Sequence, residues 1–256
     1  MKKLLLIEPE TQSLGLILEL CQEMNKMNLF EASFKLSIVY PNLESFLQSS
    51  VCFKGSPLNF KGFTDKIIEF LLNLKSNWNK ILTRYYVEDS KFWIKTVLAP
   101  ILAWIVERCS SVFNSIDLDD FKGNFENGLK FISIIESNFF VYEDELIFFR
   151  SQMPWINFMK KWSLHQYFQI RIRQIMMPIE NLTTISASPP PTADDSRTTI
   201  RIIFEPTLIT VNSLKVLWSD EVILKPLIPK FLKIKLLVFR KIIHISAENN
   251  EKHKNT

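Results

Sequence analysis

The feature that most constrains this chain is an apolar stripe at helical spacing between Thr64 and Tyr86. Ile67, Leu71, Leu74, Trp78, Leu82 and Tyr85 recur every three or four residues, while Asp65, Glu69, Asn73, Lys80 and Arg84 fall on the opposite side. That spacing gathers the apolar side chains on one helix face, broad enough to pack into a bundle. Thr64 is placed to cap the start, and Asp65 suits the positive end of the helix dipole.

The design recurs along the chain. Pro9 to Met27 reads as a helix with Leu14, Ile17, Leu18, Cys21 and Met24 on one face. Phe30–Phe46 is a second periodic stretch, interrupted at Pro41, and Ser49–Lys61 is a loop containing Gly55-Ser-Pro57. Ser90–Phe113 is a helix capped by Ser90, and Pro100 inside it predicts a kink or a break. Asp119–Ser137 carries Phe121, Phe125, Leu129, Ile132 and Ile135 on one face; Ser151 is the expected cap of a helix starting at Pro154. His165–Ile175 fits two periods: Phe168, Ile170 and Ile172 alternate as in a strand, while Leu164, Phe168, Arg171 and Ile175 fit a helix. The surrounding helices favour the helix.

Ser186-Ala-Ser-Pro-Pro-Pro-Thr-Ala-Asp-Asp-Ser196 lies in a polar, proline-rich linker, Asn181–Arg197, expected to be extended or disordered. Thr198–Phe204 is β-branched but lacks an obvious partner strand. Helix is expected again over Pro206–Trp218 and Pro229–Ile245, with Ser219-Asp-Glu as a capping-type start and a frayed tail from Ala247. The expected fold class is all-α: an elongated antiparallel helical bundle with one disordered Pro/Ser-rich loop. Its parts are N-terminal helices over 1–60, a bundle over 61–180, the loop over 181–205, a helical hairpin over 206–246 and a tail over 247–256.

Composition supports helices and excludes several chemistries. Among 256 residues, 47% are hydrophobic, enough for one or two cores. Only 5 are Gly, which disfavours Gly-turned sandwiches and phosphate-binding loops, whereas 21 are Phe. The net charge of +4, with a pI near 8.8, is only mildly basic. Cys21, Cys52 and Cys109 are an odd, widely spaced set that builds no disulfide framework and fits a reducing compartment. The longest apolar run, Val97–Val106, is half of what a bilayer requires, and Glu8 and Pro9 cut short the apolar start.

No reactive constellation stands out. His165, His244 and His253 are far apart and sit at no metal-ligand spacing with Cys, Asp or Glu. No nucleophile elbow, phosphate loop or zinc helix motif occurs, and no cofactor is expected. Asp117, Asp119 and Asp120 resemble a calcium loop in composition only; the bland reading is an acidic helix start. Lys225–Lys241 holds basic residues and no acidic one. On a helix, Lys230, Lys233, Arg240 and Lys241 gather on one side, with Phe231, Ile234, Val238 and Ile242 on the other. That side suits an acidic partner or anionic lipid headgroups, or is simply solvated. Trp162, Tyr167, Phe168 and Trp218 read first as core aromatics and second as interface anchors. Arg171 and Arg173 are candidate ion-pair partners of Asp220 and Glu221.

The segments holding these last residues carry a resemblance. Met159–Ile175, with its Tyr-Phe-Gln-Ile-Arg core, resembles a hallmark of subunit 2 of the conserved oligomeric Golgi complex, and Trp218-Ser-Asp-Glu-Val222 followed by Lys-Pro-Leu resembles a second. They occur in the family's order, with a variable loop between them. Phe149-Arg150 and Trp155–Trp162 extend the first match upstream, so that Glu143–Ile179 and Asn212–Lys241 are similar throughout, and Phe63–Phe140 more loosely. The resemblance implies a non-catalytic, helical-rod subunit of a vesicle tether on the cytosolic face of the Golgi, serving intra-Golgi retrograde transport as a peripheral membrane protein. Implied partners are the other subunits, SNAREs, Rab proteins and coiled-coil tethers, with no nucleic acid. Trp162, Tyr167, Phe168, Arg171, Arg173, Trp218, Asp220 and Glu221 carry the motif, for contacts with partners or within the chain. The family's N-terminal coiled coil has no counterpart here, so the chain reads as a C-terminal portion, a fragment or a divergent copy. Two other classes remain open: a helical hydrolase or transferase with a site assembled in space around Cys109 or His165, and a basic membrane-binding module.

Overall fold

The computed structural model describes residues 20–21, 23–50, 58–85, 89–185 and 208–254. All regular structure among them is helical, in a bundle without strands. The expected helix before Met27, the loop at Gly55, the lone strand at Thr198–Phe204 and most of the proline-rich linker lie largely or wholly outside the described residues. The chain divides into two compact units, Met1–Trp162 and Ser163–Thr256.

The first unit begins with α1 (Met27–Phe34), a π-helical turn (Lys35–Val39) and α2 (Tyr40–Ser50). The expected interruption at Pro41 takes the form of that wider turn. The Tyr40 N–H bonds five residues back, to the Lys35 carbonyl, immediately before the proline. A proline removes one N–H and crowds the carbonyl four residues earlier, and here the wider turn before it carries the helical path on. The same device recurs at Pro100. There α4 (Asp89–Phe92) passes through a π-helical turn (Trp93–Leu98) into α5 (Ala99–Arg108), and the Ala99 N–H bonds back to Ile94. Of the expected kink or break, the break does not occur: the helical path continues through the wider turn. Ser90 lies inside α4 and is not its cap.

Between these runs lies α3 (Phe60–Tyr85), which carries the apolar stripe from Ile67 to Tyr85. It starts four residues earlier than expected. Asn59 is the cap, its Oδ1 accepting from the Gly62 N–H at 3.0 Å. Thr64 is instead buried one turn into the helix, its hydroxyl donating to the Phe60 and Lys61 carbonyls. Ile67, Leu71, Leu74 and Leu82 are buried as the stripe predicts, and Trp78 meets Phe34 edge-on at 4.8 Å.

A 3₁₀ turn (Ser110–Asn114) leads to α6 (Leu118–Phe139), which packs on α3. The acidic start is a cap and not a calcium loop: Asp117 Oδ1 accepts from the Asp119 and Asp120 N–H groups at 2.8 and 2.9 Å. Next come α7 (Glu143–Ser151) and α8 (Met153–Lys161), the latter packed on α5. Glu145 closes the start of α7 by accepting from the Val141 and Tyr142 N–H groups. Ser151 does not cap α8. It ends α7, donating to the Phe148 carbonyl at 2.7 Å. Arg150 forms a two-pronged bond to Glu136, at 2.8 and 2.7 Å, tying α7 to α6.

The second unit holds α9 (Leu164–Ile185), α10 (residues 208–217), a 3₁₀ turn (Lys225–Leu227) and α11 (Ile228–Lys254). His165–Ile175 is therefore helical. α9 runs past Pro178 and into the first five residues of the expected linker. Ser219-Asp-Glu does not start a helix. It forms the turn after α10, where the Ser219 carbonyl accepts from the Val222 and Ile223 N–H groups. The backbone of α11 stays helical beyond Ala247, to Lys254, where a frayed tail was expected.

Candidate interaction site

The motif residues separate into two groups. Trp162 belongs to the first unit and is 4% exposed. Its ring sits in a nest of phenylalanines, with centroid distances of 4.6 Å to Phe113, 5.3 Å to Phe125 and 6.0 Å to both Phe158 and Phe121. Three of the four contacts are steep edge-on pairs, the arrangement that aromatic quadrupoles favour. Gly128 of α6 makes room for this ring: a Cβ there would stand 2.7 Å from Trp162 Cζ2. The indole Nε1 is buried without a hydrogen-bond partner. Trp162 is thus a core keystone, matching the first of the two readings given for the aromatics.

The others cluster in the second unit. Tyr167 is 2% exposed, and its hydroxyl donates to the Val222 carbonyl at 2.7 Å. This single bond joins the two sequence motifs, α9 to the turn after α10. Both residues are buried, so losing this bond would be costly. Arg171, one turn further along α9, places its guanidinium 5.5 Å from the Tyr167 ring, with Nε 3.4 Å from the Tyr167 hydroxyl. Phe168 meets Phe231 of α11 at 5.2 Å, and Lys230 stands 5.7 Å from the Phe168 ring. Trp218 is half-buried under Lys235, whose Nζ lies 5.2 Å from it. Arg173, Asp220 and Glu221 are exposed.

The two sides expected of α11 are visible in part, with Ile234 half-buried and the Ile242 side chain outside the described residues. Phe231 and Val238 are buried, while Lys230, Lys233 and Arg240 are exposed; the Lys241 side chain lies outside the described residues. A groove of about 360 Å³ runs between α9 and α10, lined by Arg171, Gln174, Pro178, Asn212, Ser213 and Val216 among others. Pro178, which has no N–H to give the Gln174 carbonyl, lines the groove together with Gln174.

The residues weighed for catalysis occupy other settings. Cys109 is buried, and its thiol is pushed up to about 12, first by burial and then by the negative charge of Glu44. A thiol held protonated in this way is a poor nucleophile. His165 is exposed on the first turn of α9. Among the described residues no group of three or more His, Cys, Asp or Glu side chains is placed to hold a metal ion. Nor is any described helix long and apolar enough to cross a membrane.

Sequence reasoning named Tyr167 but missed its acceptor, because a backbone carbonyl leaves no trace in residue identity. It also missed the outward row Leu232, Leu236, Phe239 and Ile243 on α11, described below.

Comparison with known proteins agrees with the resemblance drawn from the motifs. Residues 160–256 match the family described as COG complex component, COG2, C-terminal. The chain is 20% identical over 244 residues to the conserved oligomeric Golgi complex subunit 2 of Arabidopsis thaliana; the match takes in 91% of this chain and 31% of that protein. The chain thus spans about a third of the length of the relative it resembles. No solved structure matches.

Proposed function

We propose that this chain acts as a non-catalytic, scaffolding part of a Golgi vesicle-tethering complex, in intra-Golgi retrograde transport. In this reading it works as a peripheral component at the cytosolic face of the membrane, held there by other subunits of the oligomeric Golgi complex. SNAREs, Rab proteins and coiled-coil tethers are further proposed contacts of the assembly. The observation that carries the reading is the match of residues 160–256 to the Golgi-complex subunit 2 C-terminal family. The geometry is in keeping with it. The motif residues build rigid helix joints, through Tyr167 to Val222 and Phe168 to Phe231, and leave charged side chains outside. Such joints fix the angle between helices, which is what a strut needs.

Affinity purification of the tagged full chain from its native cells, followed by mass spectrometry, tests the proposal. Recovery of the other Golgi-complex subunits in stoichiometric amounts is expected. A preparation that retains the folded chain but none of those subunits would overturn it.

A further inference from the structure

Helix α11 presents two apolar faces. Its inner face holds Phe231 and Val238, which are 0% and 2% exposed. Its outer face carries Leu232, Leu236, Phe239 and Ile243, which are 45%, 62%, 43% and 69% exposed. These four follow one another in steps of four, three and four residues. At 100° per residue they fall within about 60° of one another on the helix surface. Ile228 continues the line toward the N-terminus, while Leu237, also exposed, stands apart on the Lys230 side. A helix that only covers a globular core shows a wider stripe; a narrow row in alternating steps of three and four is the seam of a coiled coil.

The residues bordering this seam have one sign. With Leu232 and Phe239 at d and Leu236 and Ile243 at a, Lys233 and Arg240 occupy e positions and Lys235 a g position. Lys233 and Arg240 are exposed. Lys235 is held at the border, its Nζ 5.2 Å from Trp218 and 6.0 Å from Phe239. From Val222 to Ala247 the sequence contains no Asp or Glu.

We propose that this outer seam docks a single helix of another protein, one with apolar residues at a and d and carboxylates at e and g. The charge pattern selects that occupant. A second copy of this chain would set lysine and arginine against lysine and arginine, which opposes pairing. A lipid surface would be attracted by the same charges, but it imposes no four–three–four spacing and favours a wider apolar face. The proposal goes beyond the function given above, since it names the surface and the chemistry of its partner, and it holds whether or not that partner belongs to a Golgi complex.

The test measures binding of two synthetic four-heptad peptides to the full chain by fluorescence anisotropy. Both carry leucine at a and d; one has glutamate at e and g, the other lysine. The glutamate peptide is expected to bind at least ~10-fold more tightly, with an affinity that weakens as salt is raised. L236S/F239S is expected to weaken it ~10-fold or more. K233E/R240E is expected to reverse the preference, so that the lysine peptide binds better; this variant keeps the test decisive if the serine variant misfolds. Equal binding of the two peptides, or no reversal in K233E/R240E, overturns the proposal. So does flotation with phosphatidylserine vesicles that depends on Leu236 and Phe239 while neither peptide binds. Recovery of Golgi-complex subunits by wild-type chain without peptide discrimination would sink this surface and leave the proposed function standing.

Discussion

The Tyr167 hydroxyl donates to the Val222 carbonyl at 2.7 Å inside the second unit, where Tyr167 is 2% exposed and Val222 4%. The pair joins residues 55 apart in sequence and fixes the turn carrying Trp218, Asp220 and Glu221 against α9. Tyr167→Phe keeps the ring and removes the hydroxyl, both the donor to Val222 and the acceptor of the longer Arg171 contact. The Val222 carbonyl is then buried without a partner, which costs about 1–3 kcal/mol. The variant is expected to melt earlier and, by hydrogen exchange, to lose protection at residues 218–224 before it does so elsewhere. Unchanged exchange in that turn would show that the bond is not what holds it.

Two glycines on one helix should respond in opposite directions. At Gly128 a new Cβ would stand 2.7 Å from Trp162 Cζ2 and 3.5 Å from Phe158 Cζ, so the indole must leave its nest. At Gly123, in the same helix, nothing lies within 4 Å of that position. Alanine in an open helical site gains roughly 0.5–1 kcal/mol over glycine. Gly123→Ala is therefore expected to stabilise the protein, and Gly128→Ala to destabilise it by roughly 1–3 kcal/mol, the usual range for overpacking a core. Denaturant melts of the two variants against wild type read the difference. The argument fails if both shift the midpoint the same way.

Much of this architecture was legible because amphipathic helices advertise themselves one residue at a time. Ile67, Leu71, Leu74 and Leu82, and later Phe121, Phe125, Ile132 and Ile135, are buried as their spacing implies. Terminal detail was less legible, since several residue types compete for each cap. Thr64 and Ser90 had the right chemistry, yet apolar Phe60 and Phe63 drew the start of α3 back to Asn59. Pro41 and Pro100 mark where the helices are irregular, but not the form the irregularity takes: a π-helical turn before each lets the helical path continue. The motif residues were found by resemblance, whereas their work as joints depends on backbone atoms and on ring orientation, which side-chain identity does not encode. The outer seam of α11 lies in the sequence beside a complete inner apolar face, and only the fold shows which of the two is covered.

The cap on α6 offers a simple check of local energetics. One oxygen of Asp117 serves two N–H groups at the positive end of a 22-residue helix. Asp117→Ala should cost about 1 kcal/mol, within the 0.5–2 kcal/mol seen when capping side chains are removed. Asp117→Asn retains an acceptor oxygen and is expected to recover most of the loss. Thermal melts showing the asparagine variant as unstable as the alanine variant would mean that charge at the helix end, and not the cap bond, carries the effect.

Cys109 predicts how stability responds to alkali. Its thiol lies near 9.0 ordinarily and is pushed up to about 12 in the folded chain, by burial first and by Glu44 second. Below pH 9 the thiol is protonated in both folded and unfolded chains and contributes no pH dependence. Between pH 9 and 12 the unfolded chain releases the proton while the folded chain keeps it, so unfolding is favoured increasingly as pH rises. The slope approaches ~1.4 kcal/mol per pH unit for one group. Cys109→Ala removes that ionisation, so the stability gap between wild type and variant should narrow as pH climbs from 9 toward 11. Urea midpoints across that window measure it, and a gap that stays constant would mean that the thiol ionises as readily in the folded protein as outside it.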